Sequence, residues 1–139
     1  MQKKSSSTAD VKLLKLNYDE VMEKLREYAE RAIAKGARTV ILIGSLARGD
    51  YTAYSDADVV IVSDNVPERP IDRLAEFIDP TLPIDLEPRV YTTREIIKMA
   101  EEGRRVVKEI ISYGKVLAGD ATLIDVLRSK FRSLTSLGV

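Results

Sequence analysis

Two apolar, largely β-branched runs, Thr39-Val40-Ile41-Leu42-Ile43 and Val59-Val60-Ile61-Val62, constrain this chain more than any other feature. Neither run alternates with polar residues, so each reads as a central strand covered on both faces. In a chain of 139 residues that means a small sheet with helices packed on it. The rest of the pattern supplies those helices. Asn17 followed by Glu20 reads as an N-cap, with Val21, Leu25, Tyr28 and Ala32 on one face and Gly36 closing the helix. Ile71 to Ile78 predicts a short helix with Leu74, Phe77 and Ile78 inward. Pro83 to Tyr91 alternates and predicts a third strand, and Pro88 within it suits an edge. Thr92 and Glu95 make a capping box for a helix with Ile96, Met99 and Ala100 inward, interrupted at Gly103. Val106, Val107, Ile110 and Ile111 mark another helix, which stops at Gly114, and Leu123, Val126, Leu127 and Phe131 mark a last one over roughly Thr122 to Leu134. The expected class is α/β in the α+β sense: a small mixed β-sheet with helices packed on it, ordered helix–strand–strand–helix–strand–helices. The expected organisation is one domain over residues 1–139, with 1–10 flexible and 120–139 a C-terminal helix or tail.

Composition narrows the chemistry. There is no cysteine and no histidine, which excludes a disulfide framework, thiol catalysis, imidazole acid–base work and zinc held by either residue. Any metal must sit on carboxylate and carbonyl oxygens, which favours magnesium or manganese. Lys plus Arg is 22 and Asp plus Glu is 22, so the basic excess of a protein that coats nucleic acid is missing. A local site for an anion remains open. No apolar run approaches a membrane span, and Met1-Gln2-Lys3-Lys4-Ser5-Ser6-Ser7 has no apolar core of a signal peptide, so the expected location is cytoplasmic. Amides are scarce, with only Gln2, Asn17 and Asn65, which together with the high charge points to a thermophilic source.

One segment concentrates chemistry-bearing residues: Ile43-Gly44-Ser45-Leu46-Ala47-Arg48-Gly49-Asp50-Tyr51-Thr52-Ala53-Tyr54-Ser55-Asp56-Ala57-Asp58-Val59. A buried strand ends at Gly44-Ser45, and the chain then turns into a helical turn. Glycine admits a bulky anion close to the backbone, free N–H groups attract phosphate, Ser45 adds a hydroxyl and Arg48 shares its helix face. Together these read as a cradle for a triphosphate. Asp56 and Asp58 are two apart, so on a strand they share a face at a spacing of about 6–7 Å. Asp85 and Glu87 repeat that spacing in the third strand. If the two strands are neighbours the carboxylates converge, repel one another, and call for a divalent cation that can also bridge to phosphate. An isolated Asp-x-Asp is more often a solvated turn; its position after Gly44-Ser45 carries the reading. Tyr51 and Tyr54, in the intervening loop, could stack on a base or simply pack on the surface.

Gly44-Ser45, Arg48-Gly49 and Ser55-Asp56-Ala57-Asp58 before an apolar strand resemble the DNA polymerase β-like nucleotidyltransferase superfamily, and most of all its minimal nucleotidyltransferases of archaea and bacteria. The specific motif covers residues 43–62, and a looser likeness runs from about 17 to 119. The resemblance implies the polymerase β-like fold, with Gly44, Ser45 and Arg48 on the nucleotide and Asp56 and Asp58 on two magnesium ions. It also implies a third carboxylate, either Glu87 or Asp85. It implies transfer of a nucleoside monophosphate from a nucleoside triphosphate, with ATP first among them, to an acceptor hydroxyl with release of pyrophosphate. Stand-alone members are commonly paired with a separate helical protein, in the best-known case a HEPN-type ribonuclease toxin that the minimal nucleotidyltransferase neutralises, in some cases by adding AMP to a tyrosine. Three other expectations stand beside these: a partner-binding, antitoxin-like module with a vestigial site, assembly with further copies of the chain, and modification of nucleic-acid ends, which the charge balance disfavours.

Overall fold

The computed structural model describes the backbone of residues 2–138 and the side chains of residues 18–131. The elements are α1 (Gln2–Ala34), β1 (Thr39–Ile43), α2 (Gly44–Arg48), β2 (Ala57–Val62), α3 (Pro70–Arg73) with a 3-10 turn over Leu74–Phe77, β3 (Leu86–Tyr91), α4 (Thr93–Glu101), α5 (Arg105–Tyr113), β4 (Lys115–Gly119) and α6 (Thr122–Gly138). The sheet order is β3-β2-β1-β4, with β1 antiparallel to β2 and β4, and β2 parallel to β3.

Alternation along the two central strands sorts the core into two layers. Val40, Leu42, Val59 and Ile61 pack with Val21, Leu25, Tyr28 and Ala32 of α1 and with Leu46, Ala47 and Phe77. Ile41, Ile43, Val60 and Val62 pack on the other side with Ile96, Ala100, Val106, Val107, Ile110, Leu123 and Leu127 of α4, α5 and α6. Both faces of β1 and β2 are therefore covered, which is why their sequences are apolar without alternation. The Thr92–Glu95 capping box forms, with the Glu95 amide donating to Thr92 Oγ1 at 3.1 Å and the Thr92 amide donating to Glu95 Oε1 at 2.8 Å. Pro88 lies on the edge strand β3, where a missing N–H is tolerated.

Several elements differ from the sequence expectation. The first helix is assigned from Gln2, not from Asn17, because adding residues to an already packed helix costs little. The Asn17 cap and the flexibility expected of residues 1–10 fall outside the residues whose side chains are described. A fourth strand, β4, stands between α5 and α6 and pairs with the free edge of β1. Val116-Leu117-Ala118 is too short to carry a periodic signal, so pairing with β1 makes it a strand. Ile78, expected inward, is 60% exposed, because the 3-10 turn ends at Phe77 and the chain becomes extended there.

The interior position on that crossover belongs instead to Arg73, which is 2% exposed. Its guanidinium donates to Pro67 O at 2.6 Å, Glu68 O at 2.8 Å, Val90 O at 3.1 Å and both Glu95 carboxylate oxygens at 2.7 and 3.2 Å. One buried cation thus ties the crossover to β3 and to the start of α4. Among the described residues no buried side-chain nitrogen or oxygen lacks a partner.

Candidate active site

The site forms where β1 ends and β2 and β3 begin. Asp58 is opposite Ile43 on one side and opposite Glu87 on the other, in the parallel β2–β3 register. That register separates the two later acids by position. Glu87 is the residue level with Asp58, and Asp85 precedes β3, its carbonyl accepting the Ala57 amide at 2.8 Å. Strand parity puts Asp58 and Glu87 on the side of the sheet that α4–α6 cover, at its open end. Asp56 stands immediately before β2, two residues ahead of Asp58.

Their electrostatics show convergence. Desolvation, then the negative charges of Glu87 and Asp85, push the Asp56 carboxyl above its ordinary pKa. Glu87 is pushed up chiefly by contact with the Asp58 carboxyl and by its charge, while Asp56 and Arg89 pull the other way. Like charges gathered without a counter-cation behave in this way. Among the described residues no three acids already surround a common point at metal-ligand distance. The donor set nonetheless fits a hard divalent cation in kind: carboxylate oxygens only, mutually repelling and open to solvent. Asp56, Asp58 and Glu87 could hold such an ion, with Asp85 beside them.

Gly44 has φ +77°, and a Cβ there would run into the Asp58 carboxylate. Its immediate function is therefore to make room for an acid of the protein itself, in a backbone conformation that glycine tolerates best. The Ser45 hydroxyl donates to Ser55 Oγ at 3.0 Å, and Ser55 Oγ accepts the Thr52 amide at 2.8 Å. This contact fastens the loop after α2 back onto the turn that begins it, and sets Ser45 beside the entry to Asp56. Arg48 donates to Asp50 and Tyr113. Tyr51 stacks on Tyr18 of α1, with ring centroids 4.9 Å apart, and Tyr54 is 90% exposed. Beside Glu87, a cleft of about 320 Å³ runs along the outer edge of β3, lined by Ile78, Leu82, Ile84 and Leu86 as well as Asp85 and Glu87.

Sequence reasoning missed Ser55, Glu109 and Tyr113. Ser55 stood inside the motif but carried no distinguishing spacing. Glu109 and Tyr113 are one helical turn apart on α5, with nothing in the sequence to connect them to Arg48.

The nucleotidyltransferase domain family model matches residues 22–117. A Methanocaldococcus jannaschii protein named as a putative protein adenylyltransferase is 32% identical in a 99-residue alignment that covers 63% of this chain. The chain spans 64% of that relative's length. The fold is similar to a chain of a toxin–antitoxin crystal structure with AMP-PNP, with a TM-score of 0.57 at 17% identity over 81% of this chain and 87% of that one. It is also similar to a chain of the complex between a tri-AMPylated Shewanella oneidensis HEPN toxin and an MNT antitoxin, with a TM-score of 0.53 at 18% identity over 86% and 87% of the two chains. Those two likenesses are of fold. With the family match spanning most of the residues, including the whole Gly-Ser and Asp-x-Asp segment, the chain belongs to the nucleotidyltransferase domain family.

Proposed function

We propose that this protein transfers a nucleoside monophosphate from a nucleoside triphosphate, first of all AMP from ATP, to a hydroxyl on a partner protein, releasing pyrophosphate. The observation that carries this reading is the in-register pair Asp58–Glu87, flanked by Asp56 and facing the Gly44-Ser45 turn. Asp56, Asp58 and Glu87 would hold divalent cation, magnesium before manganese, in a two-ion site. When bound, that ion would neutralise the triphosphate and stabilise charge on the attacking and leaving oxygens. Ser45 and the backbone of its turn bind the phosphates, and Arg48 supports that turn. Glu87, at the rim of the β3 cleft, orients the acceptor hydroxyl and takes its proton. Asp85 adds negative charge beside Asp56. The nucleotide is thus placed at the β1–α2 turn and the acceptor along β3. The adenylyltransferase name of the archaeal relative and the AMPylated toxin in a structural neighbour support a protein acceptor, with a helical HEPN-type protein the first to try.

The test is label transfer from α-phosphate-labelled ATP, with the other three triphosphates in parallel, to a purified HEPN-type partner or to lysate. Label should reach a protein band with the wild-type chain and not with Asp58→Asn. Loss of both transfer and ATP binding by the wild-type chain would overturn the proposal and leave a module that acts on a partner by contact alone.

A further inference from the structure

Arg48 follows the phosphate-side turn in sequence, yet its guanidinium docks on α5. Its Nη1 donates to Tyr113 Oη at 3.0 Å, and its central carbon lies 5.4 Å from the Tyr113 ring centroid. Its Nε donates to both Asp50 carboxylate oxygens at 3.2 Å. Tyr113 Oη donates in turn to Glu109, whose carboxylate lies 3.8 Å from Arg48 Nη1. Each of Arg48, Glu109 and Tyr113 therefore touches the other two. Burial, and then the hydrogen bond to Glu109, push the Tyr113 hydroxyl above its ordinary pKa, so it stays a donor.

We propose that Tyr113 and Glu109 are positioning residues for the nucleotide site, acting through Arg48 as a latch between α2 and α5. The inference rests on the nucleotidyl-transfer reading above. α2 has only five residues, and its two ends serve different masters. Its first residues, Gly44 and Ser45, face Asp58 and Ser55. Its last, Arg48, is held by α5 and also grips Asp50 at the start of the loop that leads to Asp56. That loop is thereby fixed at both ends: by Arg48 on Asp50 at its start, and by Ser45 and the Thr52 amide on Ser55 near its end. Releasing the latch leaves the core contacts of Leu46 and Ala47 intact but frees the spacing between Ser45 and Asp56. Small misplacements of a binding group are costly even when they originate far from the reacting atoms.

The experiment measures ATP affinity, KM for ATP and kcat in Tyr113→Leu, Arg48→Met and the double variant, with thermal melting alongside. The expected result is a KM raised about tenfold in each, with the double variant no worse than either single one, kcat nearly unchanged and melting temperatures close to wild type. Tyr113→Phe, which keeps the ring and loses the hydroxyl, should recover part of the loss. A wild-type KM in Tyr113→Leu, or penalties in the two single variants that add, would overturn the latch and assign Arg48 a direct contact with the nucleotide. A fall in melting temperature that accounts for the lost activity would overturn it in favour of a purely structural pair. Failure of the wild-type chain to bind ATP would remove the transfer reading, and the latch with it. ATP binding with an unaltered Tyr113→Leu would remove the latch alone.

Discussion

The two ends of the same four-stranded sheet treat acidic residues in opposite ways. At the end where β2 and β3 begin, Asp56 and Glu87 face further carboxylates, and their pKa values are pushed up. At the end where the two strands finish, three acids each have a donor. Asp64 accepts the Thr93 amide and hydroxyl at 2.7 and 2.8 Å, Asp120 accepts from Arg38 and Thr122, and Glu95 accepts from Arg73 and Thr92. Glu95 is held below its ordinary pKa chiefly by Arg73, and Asp120 chiefly by the Thr122 hydroxyl. The residue types are alike at the two ends. The difference lies in whether the chain supplies the counter-charge. One end contributes to folding; at the other the carboxylates push one another's pKa values up.

The sharpest way to break this contrast is at Asp58. Under the proposed function, Asp58→Asn should lower transfer by about a hundredfold or more, measured as label incorporated per minute, because it removes a carboxylate that would hold the divalent cation. Gly44→Ala should act on the same point from the other side, displacing the Asp58 carboxylate and straining a backbone at φ +77°. A loss of about 1–2 kcal/mol in chemical denaturation, with transfer falling alongside, is expected.

At the other end the largest effect should come from Arg73→Met. It leaves the carbonyls of Pro67, Glu68 and Val90 without their donor, and about 3 kcal/mol of stability should be lost in urea titration.

Smaller effects sharpen the comparison through pH. Glu95, whose pKa is lowered in the fold, contributes stability that is present above the ordinary glutamate pKa and is lost as pH falls through the lowered value. The gap in melting temperature between wild type and Glu95→Gln should therefore close in acid. Asp56 and Glu87 carry the opposite sign. Their charged forms are disfavoured in the fold, so cation-free protein should gain from them as pH falls from 7 through their raised values. Asp58→Asn should remove the Glu87 part of that gain, which comes chiefly from Asp58, and melt about 2 °C higher than wild type at pH 7 without divalent cation. Adding magnesium should then stabilise the wild type and leave Asp58→Asn nearly unmoved. A wild-type melting temperature indifferent to both pH and magnesium would dissolve the contrast.

Much of this arrangement was legible before the fold was known. Two unalternating apolar runs marked β1 and β2, and the Thr92–Glu95 pair marked the start of α4, because these signals are local and the residues that produce them also use them. Gly44, Ser45, Asp56 and Asp58 were equally visible, since they lie within one loop and its flanking elements. β4 was not, because a strand of five residues exists only by virtue of the edge it pairs with. Arg73 was not, because an arginine reads as surface until five acceptors from distant segments enclose it.

The sequence by itself determined which residues are apolar on both strand faces, where the helices are capped, and that a hydroxyl, an arginine and paired acids follow one strand. The tertiary structure alone decided that Glu87, and not Asp85, stands level with Asp58, that Arg48 is held by α5, and that the two ends of the sheet differ in counter-charge. The physical reason is range. Periodicity and capping are set by neighbours a few residues away, whereas register, burial of charge and electrostatic stress depend on which distant segments the folded chain brings within a few ångströms.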